Sequence, residues 1–179
     1  MDIYSDIELV ELSVAGGAEA FEYLVKRHYL TVYKVSYKWC GVREDAEDIA
    51  QEVFVKLARK LKTFGRKSLF RTWLYRITVN TAKDFCRKAG TKRAYETAFA
   101  AERSQDNPGS QEDERLDAAR LYQSLDKLPE KQKMAVLLVL SEGLSHKEAA
   151  RVLRCPEATV SWRIFQAKKR LKKSLEHEI

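Results

Sequence analysis

The chain has 179 residues, 45% of them hydrophobic, with only 7 Gly and 3 Pro. This composition provides for a packed core and excludes wholesale disorder, and the scarcity of Gly and Pro favours helices. The net charge of +7 suits a polyanionic partner, either nucleic acid or an anionic membrane surface. An acidic N-terminus without an apolar run argues against a signal peptide, and no stretch has the roughly 20 apolar residues that a membrane helix requires.

Residues that could carry catalysis or bind a metal are scattered. Three cysteines and three histidines lie far apart, and the cysteines form no CxxC pair. This spacing predicts a reducing cytosol, without a disulfide framework or a zinc site. Neither a nucleophile–base pair nor a phosphate-binding loop is recognisable. We therefore expect a protein that is not an enzyme and that has no catalytic residue, cofactor, metal or small-molecule substrate.

The amino-terminal half predicts four helices. Residues 6–40 favour two helices that are separated by a break at Gly16-Gly17. Residues 43–62 form the clearest helix, because apolar residues recur there at helical spacing. Its acids come first and its bases last, which complements the helix dipole. A short loop over 63–68 precedes a fourth helix over 69–88.

The sequence changes character after residue 88, where turn residues such as Asp106-Asn107-Pro108-Gly109 precede an acidic run. We predict an all-α protein with two small helical domains, 1–95 and 116–179, joined by a flexible linker over 96–115. Four helices are expected beyond the linker. They are Leu116–Leu125, Glu130–Ser141, a helix that the capping box Ser145–Glu148 opens, and a helix from Pro156 to about Leu175.

The last two predicted helices have the pattern of a helix-turn-helix. A turn at Arg154-Cys155-Pro156 separates them, and the second helix is longer and basic. From Thr159 to Lys173 there are six bases and no acid. Such a helix can neutralise phosphates while residues nearer its start contact base edges. A solvated amphipathic helix is the plainer alternative, and the capping box, tight turn and one-sided charge together favour DNA binding.

The helix over 69–88 carries a second candidate surface. From Arg66 to Arg93 there are nine bases against one acid. On a helical wheel of about 100° per residue, one narrow stripe contains an aromatic, an amide and three cations. These are Trp73, Arg76, Asn80, Lys83 and Arg87. Such a stripe can bind single-stranded nucleic acid through stacking, a base hydrogen bond and phosphate contacts. It equally fits a core Trp73 beside a surface Asn80, and the wheel alone does not decide.

Nearly the whole chain resembles the extracytoplasmic-function sigma factors, a family of bacterial RNA polymerase subunits. The resemblance rests on segments whose order and spacing are together highly specific: Asp45–Phe54, Phe70–Asp84, Leu128-Pro129, Ser145–Ala150 and Ala158–Arg163. The function it implies is that of an alternative sigma factor, which binds core RNA polymerase and directs promoter-specific initiation. The implied partners are core polymerase, promoter DNA and an anti-sigma protein. The implied location is the cytoplasm, where an anti-sigma protein can hold the factor at the inner membrane.

The resemblance also implies roles for individual residues. Core polymerase would dock on Asp45, Asp48, Gln51 and Glu52. The −10 element would be opened and held by Lys67, Trp73, Arg76, Asn80, Lys83 and Arg87. The −35 duplex would be contacted by Thr159, Ser161, Trp162, Arg163, Gln166, Lys169 and Arg170.

The chain departs from the family pattern at three positions. The family more often has a small or Gly residue at position 158, where this chain has Ala158. A small polar residue is commoner in place of Trp162, and a basic residue is commoner in place of Gln166. Two other interpretations stay open. A stand-alone helix-turn-helix regulator explains residues 145–173 but not the stripe through Trp73 and Asn80. A sigma mimic that sequesters an anti-sigma protein would keep the docking faces but would not support transcription.

Overall fold

The computed structural model describes residues 3–97, 124–125 and 127–176, with side chains as far as residue 88 in the first stretch and residue 173 in the last. Within these ranges all regular structure is helical, which confirms the all-α prediction. None of the helices described is both long enough and apolar enough to span a membrane. The cysteines at 40, 86 and 155 are not joined in disulfides.

Helices α1 (Asp6–Val14) and α2 (Ala18–Cys40) flank the predicted glycine break. The Ser5 side chain caps α1, and the Glu8 carboxylate accepts a hydrogen bond from the Ser5 backbone N–H at 2.6 Å. Gly16 adopts a φ of +102°, and a Cβ at Gly17 would lie 2.9 Å from the Leu12 carbonyl oxygen. The break therefore needs glycine at both positions. Beyond it, α1 packs against α2.

Helix α3 (Arg43–Lys60) buries one apolar side against α2 and ends in a short 3-10 turn, Leu61–Thr63. Helix α4 spans Phe70–Thr97. Phe70 is buried, and its ring centroid lies 5.3 Å from that of His28 on α2. Lys56 Nζ on α3 donates to Thr81 Oγ1 on α4 at 3.2 Å. These contacts place α4 against both α2 and α3.

Helix α4 is longer than the sequence predicted. The expected end near residue 88 is wrong, since residues 89–97 are helical. They contain no proline and a single glycine, Gly90, and one interior glycine costs only about 1 kcal/mol. Of the predicted linker 96–115, the first two residues continue α4 and the others lie outside the described residues. The proposed domain boundaries remain predictions.

The described carboxy-terminal part has three helices: α5 (Glu130–Val136), α6 (His146–Leu153) and α7 (Glu157–Glu176). The predicted helix Glu130–Ser141 is α5 followed by a π-helical turn over Leu137–Ser141. Helix α5 packs against α7. Of the predicted helix Leu116–Leu125, only residues 124 and 125 are described, and both are helical.

Candidate functional site

The first candidate surface is the solvent side of α3, which we call the acidic face and define by Asp45, Asp48, Gln51 and Glu52. Asp48 and Gln51 are exposed, and Asp45 and Glu52 are half-buried. The opposite side of α3 is apolar and buried: Ala46, Ile49, Ala50, Val53, Phe54 and Leu57. This division follows from the helical period, because residues three and four apart share a side. The four predicted docking residues therefore lie on one accessible side of α3.

Glu52 also has a partner within the chain. Its Oε1 lies 2.7 Å from Lys56 Nζ, one turn further along α3. The same Nζ donates to Thr81 Oγ1 on α4. Lys56 thus offsets part of the negative charge that Glu52 offers to a partner. Asp48, which is more exposed, is the better test of the acidic face.

An apolar residue completes the acidic face, and sequence reasoning missed it. Val55 is 50% exposed and lies seven residues, two helical turns, after Asp48. It therefore shares their side of α3 rather than the buried stripe. The signal in the sequence was an apolar residue out of phase with its helix. A partner docking there would bury an apolar centre within a charged rim, as in many protein interfaces.

The second surface is the stripe on α4 formed by Trp73, Arg76, Asn80, Lys83 and Arg87. Asn80 and Arg87 are exposed, whereas Trp73, Arg76 and Lys83 are half-buried. The neighbouring sides of α4 are buried, including Leu74, Ile77, Val79 and Ala82. The stripe is thus the accessible edge of a helix that otherwise belongs to the core, and Asn80 is its most accessible uncharged polar group.

Trp73 belongs to the core and to the surface at once. Its ring centroid lies 5.2 Å from that of Phe64 and 6.0 Å from that of Phe70, and the two phenylalanine rings meet edge to face at 5.6 Å. Offset and tilted aromatic pairs of this kind each contribute about 0.5–1.5 kcal/mol beyond area burial. These contacts support the interpretation of Trp73 as a core residue, and its contact with DNA remains a prediction. The ring packs in the aromatic cluster and remains half-buried.

The loop before α4 adds residues to this surface. Lys67 is exposed, as expected for a phosphate contact. Leu69 is 64% exposed, an apolar side chain that sequence reasoning did not select. Arg66 has a φ of 53° and pairs with Glu11 on α1. Phe64, in the same loop, packs on Trp73. Contacts to α1 and α4 therefore hold the first half of the loop.

The third surface is on α7, which we call the reading helix. The capping box predicted for α6 is present: Glu148 N donates to Ser145 Oγ at 3.2 Å, and Ser145 N donates to Glu148 Oε2 at 2.9 Å. Between α6 and α7, Arg154 adopts a left-handed φ of 50°. A left-handed φ is uncommon at a non-glycine residue and is typical of a tight turn after a helix. Val160, Ile164 and Ala167 form the buried side of α7.

The solvent side of the reading helix carries two large aromatics. Trp162 is 57% exposed and Phe165 is 64% exposed. Gln166 is half-exposed, and Lys169 and Arg170 are exposed. Phe165 was not among the predicted contacts, although its position three residues after Trp162 was a sufficient signal. Two neighbouring exposed aromatics on a basic helix make this side of α7 a candidate contact surface.

Two predicted contacts on α7 have partners in the turn. Ser161 Oγ lies 2.7 Å from His146 Nδ1 at the start of α6. Arg163 donates to Cys155 Sγ at 3.5 Å and is half-buried. Thr159 is half-buried as well. Ser161 and Arg163 therefore have partners within the chain, and their DNA contacts remain predictions.

Metal-binding groups are not gathered anywhere in the part of the chain that the structure describes. No cluster of three or more His, Cys, Asp or Glu side chains occurs there. The surfaces on α3, α4 and α7 thus offer charge, aromatic faces and hydrogen-bonding groups. This chemistry suits binding to protein and nucleic acid.

Comparison with known proteins identifies the family. Residues 24–92 match the model described as Sigma-70 region 2, and residues 118–171 match Sigma-70, region 4. The chain is 32% identical to the RNA polymerase sigma-H factor of Pseudomonas aeruginosa, covering 96% of this chain and 94% of that protein. It is 33% identical to the ECF RNA polymerase sigma-E factor of Escherichia coli K12, covering 92% and 91% respectively.

Solved structures give the same result for the fold. The structure of CnrH in complex with the cytosolic domain of CnrY matches with a TM-score of 0.75 at 27% identity, covering 97% of this chain and 99% of that one. The sigma factor RpoE of Bartonella quintana, solved with the anti-sigma factor NepR, matches with a TM-score of 0.69 at 23% identity, covering 89% and 98%. The chain belongs to the extracytoplasmic-function family of RNA polymerase sigma factors, and it is an alternative sigma factor that directs transcription initiation.

Proposed function

We propose that the three surfaces divide the work of initiation: the acidic face on α3 docks on core polymerase, the stripe on α4 holds the opened −10 element, and the reading helix α7 contacts the −35 duplex. The observation that carries this proposal is that one chain has two chemically different surfaces, each suited to nucleic acid. One is an aromatic–amide edge on a buried helix, and the other is an exposed basic helix after a tight turn. A single duplex-binding regulator needs only the second.

The acidic face sets the first step. Its carboxylates attract a basic surface and orient it, so they act chiefly on the association rate and on specificity. Val55 adds apolar area at the centre of that contact. Because Lys56 joins Glu52 to Thr81, the docking side of α3 is also tied to the helix that carries the stripe.

The stripe on α4 performs the second step. An unpaired base stacks against the accessible edge of the aromatic cluster, and the Asn80 amide hydrogen-bonds to a base edge. Lys67, Lys83 and Arg87 neutralise nearby phosphates. Removing a base from the duplex stack costs a few kcal/mol. Two DNA contacts on one chain offset that cost, because the second contact forms at a high effective concentration.

The reading helix provides the other DNA contact. A major groove about 12 Å wide admits an α-helix, and residues near the helix start reach base edges. The predicted contacts Thr159 to Arg170 occupy the first four turns of α7. Lys169 and Arg170 lie late enough to meet phosphates. Ser161 and Arg163 position the helix through His146 and Cys155.

An anti-sigma protein is the expected regulator, as the family resemblance implies, and CnrH itself was solved with a cytosolic protein domain bound. Such a partner would cover the acidic face or the DNA-contacting surfaces. We place the chain in the cytoplasm with core polymerase, and retention at the inner membrane would then depend on the partner. Domains at 1–95 and 116–179, joined by a linker over 96–115, fit this division of surfaces.

The test is reconstituted transcription. Purified chain is added to core polymerase that lacks any sigma factor, with a library of genomic promoter fragments, and the transcript starts are sequenced. Discrete starts that share two spaced upstream elements are expected. Duplex binding without any stimulated start would instead indicate a stand-alone regulator. Neither stimulation nor duplex binding would indicate a sigma mimic.

A further inference from the structure

The reading helix carries an unusual pair of side chains for a basic DNA-binding surface. Trp162 is 57% exposed, and Gln166 lies one turn further along the same side of α7. Residues four apart on a helix are neighbours on its surface. A bulky apolar face and a primary amide are thus presented side by side. No cation occupies either position.

The chemistry of this pair distinguishes between base pairs. A Gln amide donates to N7 and accepts from the N6 amino group of adenine, whereas Arg and Lys pair with O6 and N7 of guanine. Thymine alone carries a methyl group in the major groove, and apolar side chains contact it. A guanine offers Gln166 two acceptors and no donor, and a cytosine offers Trp162 no methyl group. Both side chains therefore favour A·T over G·C.

The spacing of Trp162 and Gln166 along α7 is compatible with contacts to nearby base pairs. Four residues advance an α-helix by about 6 Å. Two base-pair steps of B-DNA advance by roughly 6.8 Å, at 3.4 Å each. A helix along the groove can thus place Gln166 and Trp162 on base pairs about two steps apart. The basic side chains nearby, Lys169 and Arg170, are exposed and can reach the flanking phosphates.

We propose that Trp162 and Gln166 make this sigma factor select A·T base pairs at two nearby positions in its −35 element, with Gln166 paired to adenine at one and the Trp162 ring against the thymine methyl group at the other. This inference rests on the proposed role of α7 as the −35 reader. It adds the chemical identity of the bases that the helix selects. The two residues are specificity determinants, while Lys169 and Arg170 supply affinity for any sequence.

The first experiment identifies the base that Gln166 contacts. Holoenzyme reconstituted from core polymerase selects promoters from a library randomised across the −35 element. The wild type is expected to select adenine at one position, and Gln166→Arg is expected to select guanine there, with a change in preference of roughly tenfold. Lys169→Ala is the matched control on the same helix, and it should weaken selection without changing the preferred sequence.

The second experiment tests the methyl contact by removing a single group from the DNA. Each thymine of the selected element is replaced in turn by deoxyuridine, which lacks only the 5-methyl group. One replacement should weaken wild-type holoenzyme binding about fourfold, the loss expected for one buried methyl group. Trp162→Ser holoenzyme should bind the thymine and deoxyuridine duplexes equally. Circular dichroism of the variants checks that their helix content is unchanged.

The outcomes separate this inference from the function on which it rests. Holoenzyme that starts transcription at discrete promoters but tolerates deoxyuridine at every position contradicts the Trp162 contact. An unchanged base preference in Gln166→Arg contradicts the Gln166 contact. Failure of wild-type holoenzyme to start at any promoter overturns the proposed function, and this inference falls with it.

Discussion

Trp73 on α4 and Trp162 on α7 are both assigned to DNA, yet their surroundings differ. Trp73 is half-buried between the rings of Phe64 and Phe70, at centroid distances of 5.2 and 6.0 Å. Trp162 is 57% exposed on a helix surface. Folding alone desolvates much of Trp73, whereas more than half of the Trp162 side chain is desolvated only if a partner covers it.

The difference matches the two kinds of DNA that we propose for the two surfaces. A single-stranded base is itself mobile, and a prearranged edge lowers the entropy lost when that base is captured. A duplex major groove is already ordered, so an exposed side chain gains most from burying apolar area there. Core-like packing on α4 and surface-like packing on α7 therefore suit the melted −10 element and the duplex −35 element.

The two aromatic sites should differ most in how much they contribute to the free energy of unfolding. Phe70→Ala removes a buried ring that contacts Phe64, Trp73 and His28, and it should lower the free energy of unfolding by about 3–5 kcal/mol. Phe165→Ala removes a ring that is 64% exposed, and it should change that free energy by less than about 0.5 kcal/mol. Urea denaturation followed by circular dichroism measures both. Equal losses would contradict the distinction between the two aromatic sites.

Arg163 sharpens the description of α7. Arg163→Ala should weaken −35 binding by about 1–3 kcal/mol, through a lost base contact or a misplaced helix. The two possible roles of Arg163 differ in how the loss depends on promoter sequence. Loss of a base contact changes the preferred promoter, whereas loss of helix positioning weakens binding to all promoters alike. Binding of holoenzyme to a panel of −35 variants distinguishes them, with Lys169→Ala as the phosphate control. Unchanged binding to every duplex would remove Arg163 from the interface.

The acidic face predicts an effect on polymerase without an effect on DNA. Asp48→Lys should weaken association with core polymerase about tenfold, because it places a cation against the basic surface expected there. Glu19→Lys reverses an exposed acid on α2, away from the acidic face, and it serves as the matched control. Fluorescence anisotropy of labelled sigma titrated with core polymerase gives both affinities. An equal loss in the two variants would indicate general electrostatics.

Asn80 carries the smallest expected effect. Asn80→Ala should reduce promoter opening about fivefold, corresponding to one hydrogen bond of about 1 kcal/mol. Binding to the −35 duplex should stay near that of the wild type, because Asn80 lies on the exposed edge of α4 and not on α7. A fluorescent adenine analogue in the −10 element reports opening in real time. Loss of duplex binding together with opening would argue against the assigned role.

Local chemistry explains what the sequence predicted well. The break at Gly16-Gly17 and the capping box at Ser145 each depend on a few adjacent residues, and both are confirmed. The end of α4 was placed too early, since a change in composition after residue 88 does not stop a helix without a breaker. The helical period therefore predicted the accessible side of α4 better than the change in composition predicted the length of that helix.

Tertiary contacts explain what the sequence did not predict. The packing of Phe64 on Trp73 joins a loop to a helix, and the Ser161–His146 contact joins two helices across a turn. Neither follows from the period of one helix. The exposure of Val55 and Phe165 could have been predicted from the sequence, because each is an apolar residue out of phase with the buried side of its helix. An apolar residue out of phase with the buried side of its helix is therefore the signal to look for in related sequences.

The most direct test of the division between α4 and α7 is a paired binding measurement. Holoenzymes containing wild-type chain, Asn80→Ala or Trp162→Ala are titrated with a labelled single-stranded −10 oligonucleotide and, separately, with a labelled −35 duplex. Asn80→Ala should weaken only the single-stranded complex, and Trp162→Ala should weaken only the duplex complex. Loss of the same DNA in both variants would contradict the assignment of separate DNA substrates to α4 and α7.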